Sequence, residues 1–291
     1  MSTSVLTTTN NNASTSFIER YKLPILFLLV LGLTWPFMIV DVLGSHGILP
    51  FRVPVIFWLV YGYMPTLAAV IVTGLTQGKE GVRALFRKVL IARVGVKWYL
   101  FAIFGLAVTA IATVILGNQF GATVDNPLLK ADIAAAGPVA IFLNATLMFL
   151  VRGILNGEEF AWRGVALPRL QAKYNALTSS LILSIPWVFF HLPLFFTKGS
   201  TQENMSILGY AVQLAVTSIL FTWIYNNTKG SVLLAYIFHA SMNTWTEFFA
   251  IDAGNAFQGW ILTGVIVALA VVVLIFSGAQ NLSRTNTRIQ E

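Results

Sequence analysis

The chain has 291 residues, of which 57% are hydrophobic, 13% aromatic and 10% charged, and its mean hydropathy is +0.77. These values exclude an ordinary soluble domain, in which charged residues make up about a quarter of the chain. The net charge of +7 does not imply a nucleic-acid partner, because basic residues collect on the cytoplasmic loops of membrane proteins; the absence of cysteine removes thiol nucleophiles, disulfides and thiolate metal sites together.

Residues 1–22 begin with a Ser/Thr/Asn-rich run and read as a disordered cytoplasmic tail. Leu23 to Leu43 is too long for a signal-peptide core and is followed by no small-residue cleavage site, so it reads as a spanning helix bent at Pro36. A second span covers Val53 to Leu75. Residues 77–97 then carry Lys79, Arg83, Arg87, Lys88, Arg93 and Lys97 against Glu80 alone. Within them Val82, Leu85, Phe86, Val89 and Leu90 recur at helical spacing, as in an amphipathic helix on an anionic leaflet. Trp98 to Gly117 is a third span. The fourth starts near Pro138 and runs into Gly157-Glu158-Glu159-Phe160-Ala161-Trp162-Arg163-Gly164. Four more follow, about Ala176 to Phe195, Met205 to Tyr225, Ser231 to Phe249 and Phe257 to Phe276.

The expected fold is therefore all-α, a polytopic membrane protein of about eight transmembrane helices enclosing an intramembrane cavity. Its parts are the tail 1–22, N-terminal helices over 23–135, a core over 136–250, and a last helix with a cytoplasmic tail over 251–291. With the N-terminus inside, 15 of the 18 Lys and Arg fall on inner segments, leaving Arg52, Lys130 and Lys198 outside. That split predicts a protein of the plasma (inner) membrane with both termini cytoplasmic.

Polar residues in apolar segments mark candidate function, because an intramembrane charge must be neutral, paired or at work. Glu159 and Arg163 are four apart in the acid-before-base order that favours pairing. Glu158 is rotated about 100° away on a helix and is left as the free carboxylate, suited to a general base that activates water. His191 lies deep in the fifth span and His239 in the seventh, whereas His46 sits in a short outer loop. His239 and Asn243 share one helix face and offer an imidazole and an amide to one cavity. The chain has no His-Glu-x-x-His and no Gly-x-Ser-x-Gly. Its aspartates, Asp41, Asp125, Asp132 and Asp252, fall in loops or at span ends, which argues against an aspartyl site.

Three motifs in order, Glu158-Glu159-x-x-x-Arg163, Trp187-x-x-x-His191 and His239-x-x-x-Asn243, resemble those of the CPBP family. These are the CAAX-processing and bacteriocin-processing (Abi) membrane proteases. Trp162-Arg163-Gly164, Leu167-Pro168-Arg169-Leu170 and His191-Leu192-Pro193 resemble the family's bacterial wording, and Trp187 stands where a Phe is usual. The resemblance covers about Gly153 to Thr246. It implies a helical fold with a cavity open toward the cytosol, and an endopeptidase acting near the C-terminus of membrane-associated peptides or lipidated proteins within the lipid bilayer. It also implies that Glu158 activates the attacking water, that His191 orients or polarises it, and that His239 and Asn243 stabilise the oxyanion. Glu158, His191 and His239 could instead ligate zinc, as in a metalloprotease; the metal-free, glutamate-based route is favoured. A non-catalytic membrane scaffold or immunity protein and a proton- or cation-coupled transporter are the alternative readings.

The depths of these residues conflict if every helix is straight. His239 lies about nine residues, or roughly 13 Å, from the inner end of its span, and Glu158 about 20 residues after Pro138. The segment holding Glu158 is thus expected to be longer than one span, or broken near Gly157, with Glu158 below the interface.

Overall fold

The computed structural model describes residues 17–54, 56–121, 127–251, 256–285 and 287–290. The expected tail over the first 16 residues, Asp125 and Asp252 lie outside them, as do the side chains of Lys130 and Asp132. Among the described residues all regular structure is helical: α1 Lys22–Ser45, α2 Ile56–Arg87, α3 Val96–Gln119, α4 Pro127–Ile154, α5 Leu167–Gln171, α6 Ala176–His191, α7 Ile207–Asn227, α8 Val232–Phe248 and α9 Ala256–Ser277. Two 3-10 turns, Lys88–Leu90 and Leu192–Phe196, and a π-helical stretch, Phe160–Ala166, complete the set.

This is a multi-pass membrane protein. Lys22–Ser45, Val96–Gln119, Ala176–Phe196, Ile207–Asn227 and Phe257–Ser277 are long and apolar enough to cross a bilayer. The other three expected spans correspond to less regular elements. α2 breaks at Gly78, whose φ of 65° belongs to the left-handed region that glycine enters without a Cβ clash. The basic stretch after it is helical, as its spacing predicts, but it packs into the protein as well as facing outward. Leu85 is buried, the Phe86 ring meets that of Phe160 edge to face, and the Lys88 ammonium donates 2.7 Å to the Gly164 carbonyl. α4 breaks at Gly137, leaving the apolar piece Gly137–Gly153, and α8 has 17 residues.

Helix starts follow their capping residues. Asn175, Ser206 and Ser231 each accept a backbone N–H three residues on, from Thr178, Gly209 and Leu234, at 2.8, 3.2 and 3.2 Å. α8 is the central element. It packs on α3 and α4 and also touches α7, while α7 lies against α6 and α9, and α1 against α2.

Long-range hydrogen bonds fix which helix ends share a face. At one end the His46 Nε2 lies 3.0 Å from the Phe196 carbonyl and the Lys198 N–H donates 3.1 Å to the Ser45 hydroxyl. The C-terminal ends of α1 and α6 therefore meet there. At the other end the Ser231 hydroxyl donates 2.7 Å to the Ile91 carbonyl, Ala176 N–H donates 2.9 Å to Gln280, and Arg288 donates 3.0 Å to Tyr174. The chain after α9 closes this second face through Asn226, whose amide donates to Gln171 at 2.7 Å and to the Asn281 carbonyl at 2.8 Å.

Candidate active site

The Glu-Glu motif is not on a continuous helix. α4 stops at Ile154, helical structure resumes at Phe160, and the interruption is docked on α2. Gly157 N–H donates 2.9 Å to the Gly62 carbonyl, and the Thr66 hydroxyl donates to the Gly157 carbonyl. A Cβ on Gly157 would collide with the Gly62 carbonyl and the Tyr63 backbone, and one on Gly62 with the Leu155 carbonyl. Irregular backbone inside a membrane protein is tolerated where its polar groups are satisfied in this way. Gly157→Ala is accordingly expected to lower the unfolding temperature in detergent, at a cost of about 1–3 kcal/mol or more; an unchanged transition would contradict this close approach.

After the interruption the π-helical stretch carries both Trp162 and Arg163 inward. Such wide turns are frequent at functional sites. Every residue from Phe160 to Ala166 is buried. Glu158 is 7% exposed and Glu159 fully buried, yet the two carboxylates have different surroundings.

Glu159 sits between two basic groups. Its carboxylate lies 3.1 Å from Arg163 Nη1 and 2.7 Å from His239 Nδ1. The first contact is the expected i,i+4 pair; the second arrives from α8 and was not visible in the spacing. The Arg163 guanidinium is also held between two rings, with Cζ 4.4 Å from the centre of Trp187 and 3.8 Å from that of Phe221. Its Nε and Nη2 have no hydrogen-bond acceptor among the described residues, so the aromatic faces supply the balancing electron density there.

Glu158 faces the cavity. One oxygen, Oε2, accepts 2.9 Å hydrogen bonds from the indole N–H groups of both Trp162 and Trp187. The other, Oε1, lies 4.0 Å from His191 Nε2 and 3.9 Å from His239 Nε2. The far nitrogen of each ring is fixed elsewhere: His191 Nδ1 lies 2.9 Å from the Trp187 carbonyl and His239 Nδ1 against Glu159. Both acceptors require the proton on Nδ1, so each ring turns Nε2 toward Glu158. The cavity has a volume of about 870 Å³, and Glu158, His191, His239 and Asn243 all line it. The six residues selected from the sequence thus form one connected group, with four on the cavity wall and Glu159 and Arg163 behind it.

Trp187 was read only as the aromatic position of its motif and Trp162 only as a flanking residue, and Phe221 carried no signal at all. The Trp-for-Phe departure at 187 now has a chemical meaning, since a phenyl ring has no N–H to donate. Trp187→Phe keeps a ring beneath Arg163 but removes one of two donors to Glu158. A hydrogen bond to a charged group contributes about 1.5–3 kcal/mol, so hydrolysis by this variant is expected to fall roughly 10- to 100-fold. Parent-level rates would show that this bond does not hold the carboxylate.

Two imidazole nitrogens and a carboxylate are donor types that zinc takes, but donors on a tetrahedral zinc stand about 3.3 Å apart. Here the Nε2 to Oε1 separations are 3.9 and 4.0 Å. Among the described residues no group of three or more His, Cys, Asp or Glu is arranged to hold a metal ion. The side chains as placed do not fit one.

Residues 138–245 match the family described as "Type II CAAX prenyl endopeptidase Rce1-like". The resemblance to the CPBP proteases is borne out. A CAAX prenyl protease 2 of Methanococcus maripaludis is 31% identical over 136 residues, which cover 45% of this chain and 49% of that protein. The chain thus matches about half the length of this curated relative. The matched segment begins at the α4 kink, takes in the interrupted Glu-Glu stretch and ends within α8, so it contains every residue of the cluster.

Proposed function

We propose that this protein is a membrane endopeptidase that hydrolyses a peptide bond near the C-terminus of membrane-delivered or lipidated substrates, with Glu158 as the base. One observation carries the reading: a carboxylate with one oxygen clamped by two indoles turns its other oxygen toward two imidazole nitrogens inside a cavity. A water molecule placed against Oε1 gives a proton to Glu158 as its oxygen attacks the substrate carbonyl. His191, with its proton on Nδ1, accepts the water's second hydrogen at Nε2 and so orients it. The carbonyl oxygen gains charge as the tetrahedral intermediate forms. Asn243 donates its amide N–H to it, and His239, held at Nδ1 by Glu159, completes the same oxyanion site. Glu158 then passes its proton to the departing amine, which leaves as the short C-terminal peptide while the acyl part remains as the shortened chain's new carboxyl terminus. Glu159 and Arg163 do not touch substrate; they hold His239 in register.

The test is hydrolysis of a lipidated peptide by the purified protein in vesicles. The C-terminal fragment should appear with the parent protein and be lost with His239→Ala. Fragment release at the parent rate by that variant would overturn the assignment.

A further inference from the structure

Arg152 and Glu247 form an ion pair in the wall of the active-site cavity. Each belongs to the last turn of its helix, Arg152 to α4 and Glu247 to α8. His239, Asn243 and Glu247 follow one another at four-residue spacing, so they form a row on one face of α8 with a step of about 6 Å. Exposure rises along that row: His239 is buried, Asn243 half-buried and Glu247 exposed. The row therefore leads outward from the Glu158 carboxylate to the rim of the cavity, and Arg152 is bound at its outer end.

The charges in the wall are unequal. Among the described residues that line the cavity, Arg152 is the one Arg or Lys, against the carboxylates of Glu158, Glu203 and Glu247. Glu203 is engaged by the Gly199 N–H at 2.7 Å. The Arg152 and Glu247 side chains are 40% and 47% exposed, and an ion pair so open to water contributes little to stability. Nor do α4 and α8 need it in order to meet. They pack on one another, and beside Arg152 a Cβ on Gly153 would lie 3.7 Å from that of Ala240.

A guanidinium whose partner is well hydrated can change partners at small cost, and its planar fork suits another carboxylate through two parallel hydrogen bonds. When a short C-terminal peptide is released, the scissile bond lies close to one carboxylate that every such substrate has, the chain terminus. At Arg152 that group would sit one step along α8 beyond Asn243, within reach of a few residues of extended chain. We propose that Arg152 exchanges Glu247 for the free C-terminal carboxylate of the substrate, and that this exchange selects chain ends over internal segments. Glu247 holds the guanidinium in place beforehand and is rehydrated when displaced. The proposal rests on the endopeptidase reading and adds the residue that recognises the end of the substrate.

The experiment compares a lipidated peptide ending in a free carboxylate with the same peptide ending in an amide. Affinity is measured in vesicles on the Glu158→Gln protein, and hydrolysis on the parent. Amidation should weaken binding roughly 10- to 100-fold, the range for losing hydrogen bonds to a charged group. With Arg152→Gln added, both peptides should bind alike, at the level of the amide. Glu247→Gln should act in the opposite sense, tightening the free-carboxylate peptide about two- to fivefold by removing its competitor. An amidation penalty that survives Arg152→Gln, or weaker binding with both variants, overturns the proposal; the second result would make the pair a structural tie. Binding needs no cleavage, so carboxylate-selective binding without hydrolysis by the parent would remove the endopeptidase reading and keep the site. Hydrolysis by the parent that is indifferent to amidation would keep the reading and remove the site.

Discussion

Replacing Glu158 with Gln should lower peptide hydrolysis by roughly a hundred- to ten-thousand-fold, the range for loss of a positioned general base, while the protein still folds. Glutamine is nearly the same shape, and its carbonyl oxygen can still accept the indole N–H groups of Trp162 and Trp187 that hold Oε2 now. What it cannot do is take a proton from water at the position facing His191 and His239. The check is a pair of measurements on one preparation, hydrolysis and thermal unfolding in detergent. A loss of rate accompanied by an equal loss of folded protein would mean that the carboxylate serves structure instead.

Glu159→Gln should have the opposite signature, a large loss of stability with the loss of activity. Its carboxylate is fully buried between Arg163 and His239, and removing one member of a buried ion pair costs about 3–5 kcal/mol because the other charge is stranded. Arg163 would keep the rings of Trp187 and Phe221 but lose its ion-pair partner. The double replacement Glu159→Leu with Arg163→Met removes both charges and should regain most of the stability, since apolar pairs of similar size often replace buried ion pairs without loss. Activity should stay low, because His239 would have lost the carboxylate that fixes its ring. Recovery of activity in the double variant would show that Glu159 only balances Arg163.

What the sequence made legible was whatever lies within a turn or two along the chain. The spacing of Glu159 and Arg163 and that of His239 and Asn243 describe local helical geometry, and both pairs are present in the fold. The interruption near Gly157 could be inferred as well, because a straight helix cannot place Glu158 at the depth of His239. The hidden part lies between helices. The contact of Glu159 with His239 joins residues 80 apart, and that of Trp187 with Glu158 residues 29 apart; no periodicity reports either. The same holds for the sandwich of Arg163 by Phe221 and for the docking of Gly157 on Gly62, which depends on the absence of side chains.

The most direct test of a Glu158-centred protease is a comparison of C-terminal peptide fragments, by mass spectrometry, from membranes of cells making the parent protein and cells making equal amounts of Glu158→Gln. The account predicts a set of shortened polypeptides, each missing a short C-terminal segment, that is present with the parent and absent with the variant. Identical fragment sets from the two, with both proteins folded in the membrane, would contradict it.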